Sequence, residues 1–104
     1  MHSHMVFFWL WGTISDHERG QFERSLVALT ADPNVVERRI GKPSTTGRSV
    51  IDSSYDYGVV LRFETLAAHD AYQAGQPLQH FLETCEHMWS RVKVYDKDEI
   101  SLNT

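Results

Sequence analysis

A chain of 104 residues with 41% hydrophobic and 23% charged side chains has the size and make-up of one globular domain spanning residues 1–104, large enough for a single core and too short for two. Its net charge of −4 argues against nucleic acid or an anionic membrane as partner, because either favours a basic face, and its one basic cluster, Arg38-Arg39 with Lys42, is interrupted by Ile40 and Gly41. The lone cysteine, Cys85, excludes an internal disulfide framework and reads as a small buried hydrophobe in a reducing compartment.

Residues 4–11 read as the first strand, ended by Gly12, and its run Val6-Phe7-Phe8-Trp9-Leu10-Trp11 is apolar on both faces. A half-buried strand alternates; this one asks for cover on each side. The run is far shorter than the roughly 20 residues of a membrane span, and no basic start with a small-residue cleavage site marks a signal peptide, so the cytoplasm is the expected location. Ser15-Asp16-His17-Glu18 has the form of a capping box, followed by an apolar stripe of Phe22, Leu26 and Leu29 that carries a helix to about Thr30. Asp32-Pro33-Asn34 is a turn. Val35 to Ile40 is a more polar strand suited to a sheet edge. Pro43 to Ser54 is a Ser/Thr/Gly-rich loop, either a lid or a long hairpin connection pinned by Val50 and Ile51.

Tyr55 to Glu64 alternates cleanly, with Tyr55, Tyr57, Val59, Leu61 and Phe63 on one face and Asp56, Gly58, Val60, Arg62 and Glu64 on the other. Thr65 can cap a helix to about Ala74, with Gly75 at its end. Pro77 suits the first turn of the next, whose stripe is Leu78, Phe81, Leu82 and Cys85. Trp89 to Tyr95 is the last strand, and a polar tail follows Asp96. With right-handed crossovers this order gives an α+β, ferredoxin-like split β-α-β sandwich, the first and third strands central and the second and fourth at the edges.

All helices of such a fold lie on one side of the sheet. If His4, Val6, Phe8 and Leu10 face them, then Met5, Phe7, Trp9 and Trp11 face away together with Val60, a patch too large and too aromatic to leave in water. The expected closure is a homodimer, sheet face against sheet face, with Arg62, Arg91 and Lys93 joining Asp56 and Glu64 at a charged rim.

From His4 to about Asp96 the chain resembles the Dabb family of stress-responsive dimeric α/β-barrel domains. The likeness lies in His4-Met5-Val6-Phe7-Phe8, in Ser54 through Glu64, in Ala71-Tyr72-Gln73, in Gln76-Pro77-Leu78-Gln79 with Phe81, and in Val92-Lys93-Val94-Tyr95-Asp96. The resemblance implies a dimeric α/β barrel with a pocket between sheet and helices in each protomer. One member, olivetolic acid cyclase, is a cofactor-free plant polyketide cyclase whose chemistry involves a tyrosine and a histidine beside that pocket. The tyrosine matches Tyr72 and a second histidine matches His4. The family's His-Pro-x-His segment stands here as Gln76-Pro77-Leu78-Gln79, and another pocket tyrosine falls at Leu26, so the base expected of a cyclase is missing.

Taken on their own chemistry, His4 could shuttle a proton near neutral pH or simply be hydrogen-bonded at the core margin. Tyr72 could polarise a bound carbonyl or fill core. The expected pocket draws Val6 and Phe8 from the first strand, Phe22 and Leu26 from the first helix, and Tyr57, Val59 and Leu61 from the third strand. Phe81 from the last helix and Trp89 and Val92 from the last strand complete it. That lining suits a small apolar or aromatic ligand. His17, His69 and His80 read as exposed and His2 as terminal. His2-x-His4 is the only close histidine pair, with no carboxylate at ligand spacing on the same element, so no metal site is expected, and no phosphate loop or dinucleotide fingerprint calls for another cofactor. The leading expectation is a ligand-binding homodimer. The alternatives are a cofactor-free cyclase, a monooxygenase like those of the similar antibiotic-biosynthesis monooxygenase barrels, and a purely structural homodimer.

Overall fold

The computed structural model describes residues 1–102. Strand β1 (His2–Leu10) is followed by helix α1 (Asp16–Leu29), strands β2 (Glu37–Gly41) and β3 (Tyr57–Phe63), helices α2 (Leu66–Gln73) and α3 (Gln76–Cys85), a 3-10 turn at Glu86–Met88 and strand β4 (Trp89–Asp98). The helix starts are those that the sequence signals. Ser15 Oγ accepts from the Glu18 N–H at 3.1 Å while the Ser15 N–H donates to the Glu18 carboxylate at 3.1 Å, closing the capping box of α1. Thr65 Oγ1 accepts from the Ala68 N–H at the head of α2, and Gly75 is the N-cap of α3 with Pro77 in its first turn. Among the described residues no helix is long and apolar enough to cross a membrane.

The four strands form one antiparallel sheet in the order β2-β3-β1-β4, with the apolar first and third strands central as expected. Phe8, Leu10, Tyr57, Val59, Leu61 and Phe63 on the inner face pack against Phe22, Leu26 and Leu29 of α1 and Tyr72, Phe81 and Cys85 of α2 and α3. This is the ferredoxin-like α+β arrangement, with the core in a single layer between sheet and helices.

Four expectations need correction. Strand β1 begins at His2 rather than His4, and β4 runs to Asp98, so Ser3 pairs with Lys97 and His2 with Asp98. Lys97 and Asp98 are therefore sheet rather than tail, held by backbone pairing that hydropathy does not reveal. In β3 the alternation fails at its start: Tyr55 turns to the outer face and packs on Phe7, ring centroids 5.0 Å apart. Asp56 instead accepts from the Leu10 N–H at 2.7 Å and from Arg19 of α1 at 3.3 Å, which removes it from the expected rim. The 43–54 segment connects antiparallel neighbours as a long hairpin loop, but Val50 and Ile51 are exposed and do not pin it. Lastly, β2 starts two residues after Val35, although the Val36 N–H already donates to the Arg62 carbonyl at 2.9 Å.

The end of the sheet is clamped by Glu99. Its carboxylate accepts from Arg62 Nε at 2.8 Å and Nη2 at 2.7 Å and from the Ser3 hydroxyl at 2.7 Å, and the Arg62 fork, followed by Ser3, holds its pKa down at about 2 from an ordinary 4.5. A depressed folded-state pKa stabilises above the unfolded value and is lost as pH falls through the folded one. Stability should therefore decline between pH 4.5 and about 2 as this clamp protonates, and urea titrations across that window should show a shallower decline for Glu99→Gln than for the parent chain.

Candidate functional site

Between the inner face of the sheet and the helices lies a cavity of about 520 Å³, within the usual range for small-molecule sites. Strand parity places its walls. Alternate residues His4, Val6 and Phe8 of β1, Val59 and Leu61 of β3, and Val92, Val94 and Asp96 of β4 all point inward, and Trp89 joins them at the start of β4. Leu26, Leu29 and Thr30 from α1 and its cap, His69, Tyr72 and Gln73 from α2, and Leu78, Phe81 and Leu82 from α3 close the other side.

Ten expected residues, His4, Val6, Phe8, Leu26, Val59, Leu61, Tyr72, Phe81, Trp89 and Val92, thus surround one space. Phe22 and Tyr57 do not reach it. Phe22 is fully buried among Phe8, Tyr57 and Phe81, with ring centroids 5.2, 5.3 and 5.8 Å away. The Tyr57 hydroxyl donates to Glu23 at 2.8 Å, and burial, with that carboxylate beside it, raises its pKa to about 12.

The polar end of the cavity is richer than the sequence reading allowed. His69, expected on the surface, is buried; it stands three residues before Tyr72, so one helical face carries both inward. His2, read as a terminal residue, is also buried, because β1 starts with it. His4 Nδ1 donates to Asp96 Oδ1 at 2.6 Å, and the same oxygen lies 3.1 Å from His2 Nε2 and 3.6 Å from His69 Nε2. Asp96 was missed because the last strand was ended too early; its parity with Val92 and Val94 was the available signal.

Burial lowers the His4 pKa, outweighing the raising effect of Asp96. His4 is then a neutral imidazole with its proton on Nδ1, and its Nε2 lies 3.4 Å from the Gln73 amide nitrogen. For His2, burial is outweighed by the bonds to Asp98 and Asp96, and its pKa rises. Burial also opposes ionisation of Asp96, but the bonds from His4 and His2 win and its pKa falls. Burial, then the charge of Asp32, pushes the Tyr72 phenol well above its ordinary range, so at neutral pH it is a hydrogen-bond donor and not a base. The ring edges of His4 and Tyr72 meet with centroids 6.4 Å apart. Gln76 and Gln79, at the positions of the family's missing histidines, are exposed, as are His17, His80 and His87. The ionisable side chains at this end of the cavity are His4, His69, Tyr72 and Asp96.

The outer face of the sheet carries the other expected surface. The Phe7 ring lies against Gly58, where an added Cβ would sit 3.2 Å from it. Phe7 also meets the Tyr95 ring edge-on at 6.3 Å. The Trp9 indole donates to Ser54 Oγ at 3.0 Å and is covered by the Arg91 guanidinium, 4.4 Å from its centroid. Phe7, Trp9 and Val60 are half-buried within one protomer, whereas Trp11, just past the strand, is 52% exposed. Arg62 is held by Glu37 and Glu99 of its own chain.

The family model described as "Stress responsive A/B Barrel Domain" (Dabb) matches residues 3–99. No curated protein matches the sequence significantly. Among solved structures, a Dabb family protein with a ferredoxin-like fold from Mesorhizobium loti superposes with a TM-score of 0.76 at 19% identity, covering 96% of this chain and 97% of that one. A dimeric ferredoxin-like protein of unknown function from Thermobifida fusca gives 0.74 at 18%, covering 92% and 88%. A hydroxynitrile lyase from Passiflora edulis gives 0.75 at 17%, covering 92% and 90%.

Proposed function

The chain belongs to the stress-responsive A/B barrel domain family, and from that membership we propose that it works as a homodimer, outer sheet face against outer sheet face, whose protomers each bind a small apolar or aromatic molecule in the inner cavity. The observation that carries the reading is the cavity itself: about 520 Å³, walled mainly by aliphatic and aromatic side chains, with polar groups gathered where His4, His69, Tyr72, Gln73 and Asp96 meet. A ligand whose hydrocarbon body lies along Val6, Val59, Leu61 and Val92 would bring one polar substituent to Tyr72 and His4. The Tyr72 phenol, held protonated, is suited to donate to a carbonyl or hydroxyl oxygen, and the neutral His4 to accept from a hydroxyl.

The probe for this reading is 1-naphthol, a flat hydrocarbon with a single hydroxyl. It should bind once per protomer in calorimetry and raise the melting temperature as its concentration rises. Leu26→Trp, which extends an indole into the cavity from α1, should abolish naphthol binding while the far-ultraviolet dichroism stays unchanged, overpacking costing about 1–3 kcal/mol of stability. Naphthol affinity unaffected by Leu26→Trp would place the ligand elsewhere. Absence of binding to the parent chain would leave the domain as a structural homodimer.

A further inference from the structure

Three imidazoles and a carboxylate meet where β1 and β4 lie beside α2, and one of their buried ring nitrogens is left without a hydrogen-bond partner. A carboxylate only accepts, so a ring nitrogen bonded to one must carry a proton. His69 Nδ1 lies 3.0 Å from Asp70 Oδ1, which requires a proton there and makes Nε2 the nitrogen that can offer a lone pair to an ion. That buried Nε2 has no hydrogen-bond partner and faces Asp96 Oδ1 from 3.6 Å. A lone pair aimed at an anion is repulsive unless a cation stands between them.

His2 differs in having a carboxylate at each ring nitrogen, so an ion held by its Nε2 takes the place of the proton that bonds Asp96. Its Nδ1 lies 3.2 Å from Asp98 Oδ1 and its Nε2 3.1 Å from the same oxygen of Asp96. Each imidazole therefore has a carboxylate behind its far nitrogen and presents its near nitrogen to a common point, the orienting arrangement used by metal-ligating histidines. Ligand atoms of His2, His69 and Asp96 all lie within 4.8 Å of one another, wider than the roughly 4.4 Å that two bonds of about 2.2 Å to a shared ion can span, so the side chains must draw inward on binding. His4, donating to the same Asp96 Oδ1 at 2.6 Å, helps to hold the carboxylate in place. An ion has a way in, since the Asp96 side chain is 44% exposed and Asp96 and His69 line the cavity.

We propose that His2 Nε2, His69 Nε2 and the Asp96 carboxylate together bind one divalent first-row transition ion, with its remaining coordination positions open on the cavity side. Two imidazole nitrogens and one carboxylate oxygen suit zinc or iron(II) and not magnesium or calcium, which take oxygen ligands. The residues come from three separate elements, so no spacing motif announces them. The site shares His69 and Asp96 with the cavity wall, but its test needs no bound small molecule, and Leu26→Trp replaces none of the three ligands.

The test is titration of the whole chain with Co²⁺, followed by its visible d–d absorption and then by displacement with Zn²⁺. One equivalent per chain is expected, lost in His69→Ala and in Asp96→Asn. Asp70→Asn alters only an exposed carboxylate behind His69 and should weaken binding by about 10–100-fold, which keeps the test open if a ligand variant fails to fold. Absence of cobalt bands would overturn the proposal, leaving a proton as the cation between His69 and Asp96. Equal affinity in Asp70→Asn, or in a folded His69→Ala, would also overturn it by moving the ion to exposed histidines such as His17, His80 or His87.

Discussion

Trp9→Glu is expected to leave the chain folded but monomeric, with its dimer dissociation constant raised at least about a hundredfold. The face around Trp9 holds Phe7, Tyr55, Val60 and Tyr95, and taking a carboxylate out of water into such an apolar contact costs several kcal/mol that an ion pair only partly offsets. In the free protomer the same carboxylate meets Arg91, whose guanidinium lies 4.4 Å from the Trp9 centroid, so the fold tolerates it. Sedimentation velocity at micromolar concentration checks the mass, and circular dichroism checks the fold. A variant sedimenting as a dimer would remove this face from the interface.

Phe22→Ala should destabilise the domain by about 3–5 kcal/mol, a large share of the 5–15 kcal/mol typical of a whole domain. Phe22 is completely buried. Its ring touches Phe8, Tyr57, Phe81 and Trp89, rings contributed by both layers, so the surroundings cannot collapse onto the void without moving the sheet or a helix. Urea unfolding followed by tryptophan fluorescence measures the effect. A loss below about 1 kcal/mol, the scale of a single methylene, would mean that the aromatic cluster is not the keystone of the core.

The fold was legible because its signals are local and periodic. The Ser15 and Thr65 caps, the Phe22-Leu26-Leu29 stripe and the two-residue alternation of Tyr57 through Phe63 each act within one element, and the polarity of the strands then ordered the sheet. What the sequence concealed is what depends on pairing between elements. Lys97 and Asp98 are too polar to read as strand, yet they hydrogen-bond to the first residues of β1. Tyr55 and Asp56 exchange faces because the alternation slips where β3 begins, a local shift that hydropathy does not encode.

The candidate site divides along the same line. Its apolar walls, Val6, Val59, Leu61 and Val92, follow from strand parity, as does the inward direction of His4. Its polar end does not, because Asp96 stands on a part of β4 that looks like tail and His69 on a short helix whose histidine has no apolar neighbour pattern strong enough to mark it as buried. Phe22 and Tyr57 share the correct face with the lining but sit deeper, a distinction of depth that periodicity cannot draw.

The pairing of β1 with β4 joins residues far apart in sequence, His2 opposite Asp98 and the Glu99 N–H on the Met1 carbonyl. Contacts of that sequence separation carry the greatest loop-closure entropy and tend to form late. The histidines and Asp96 therefore come within reach of one another only when β4 has docked on β1, so the chemistry at that end of the molecule reports on completed folding, and peeling away that one border strand would dismantle it.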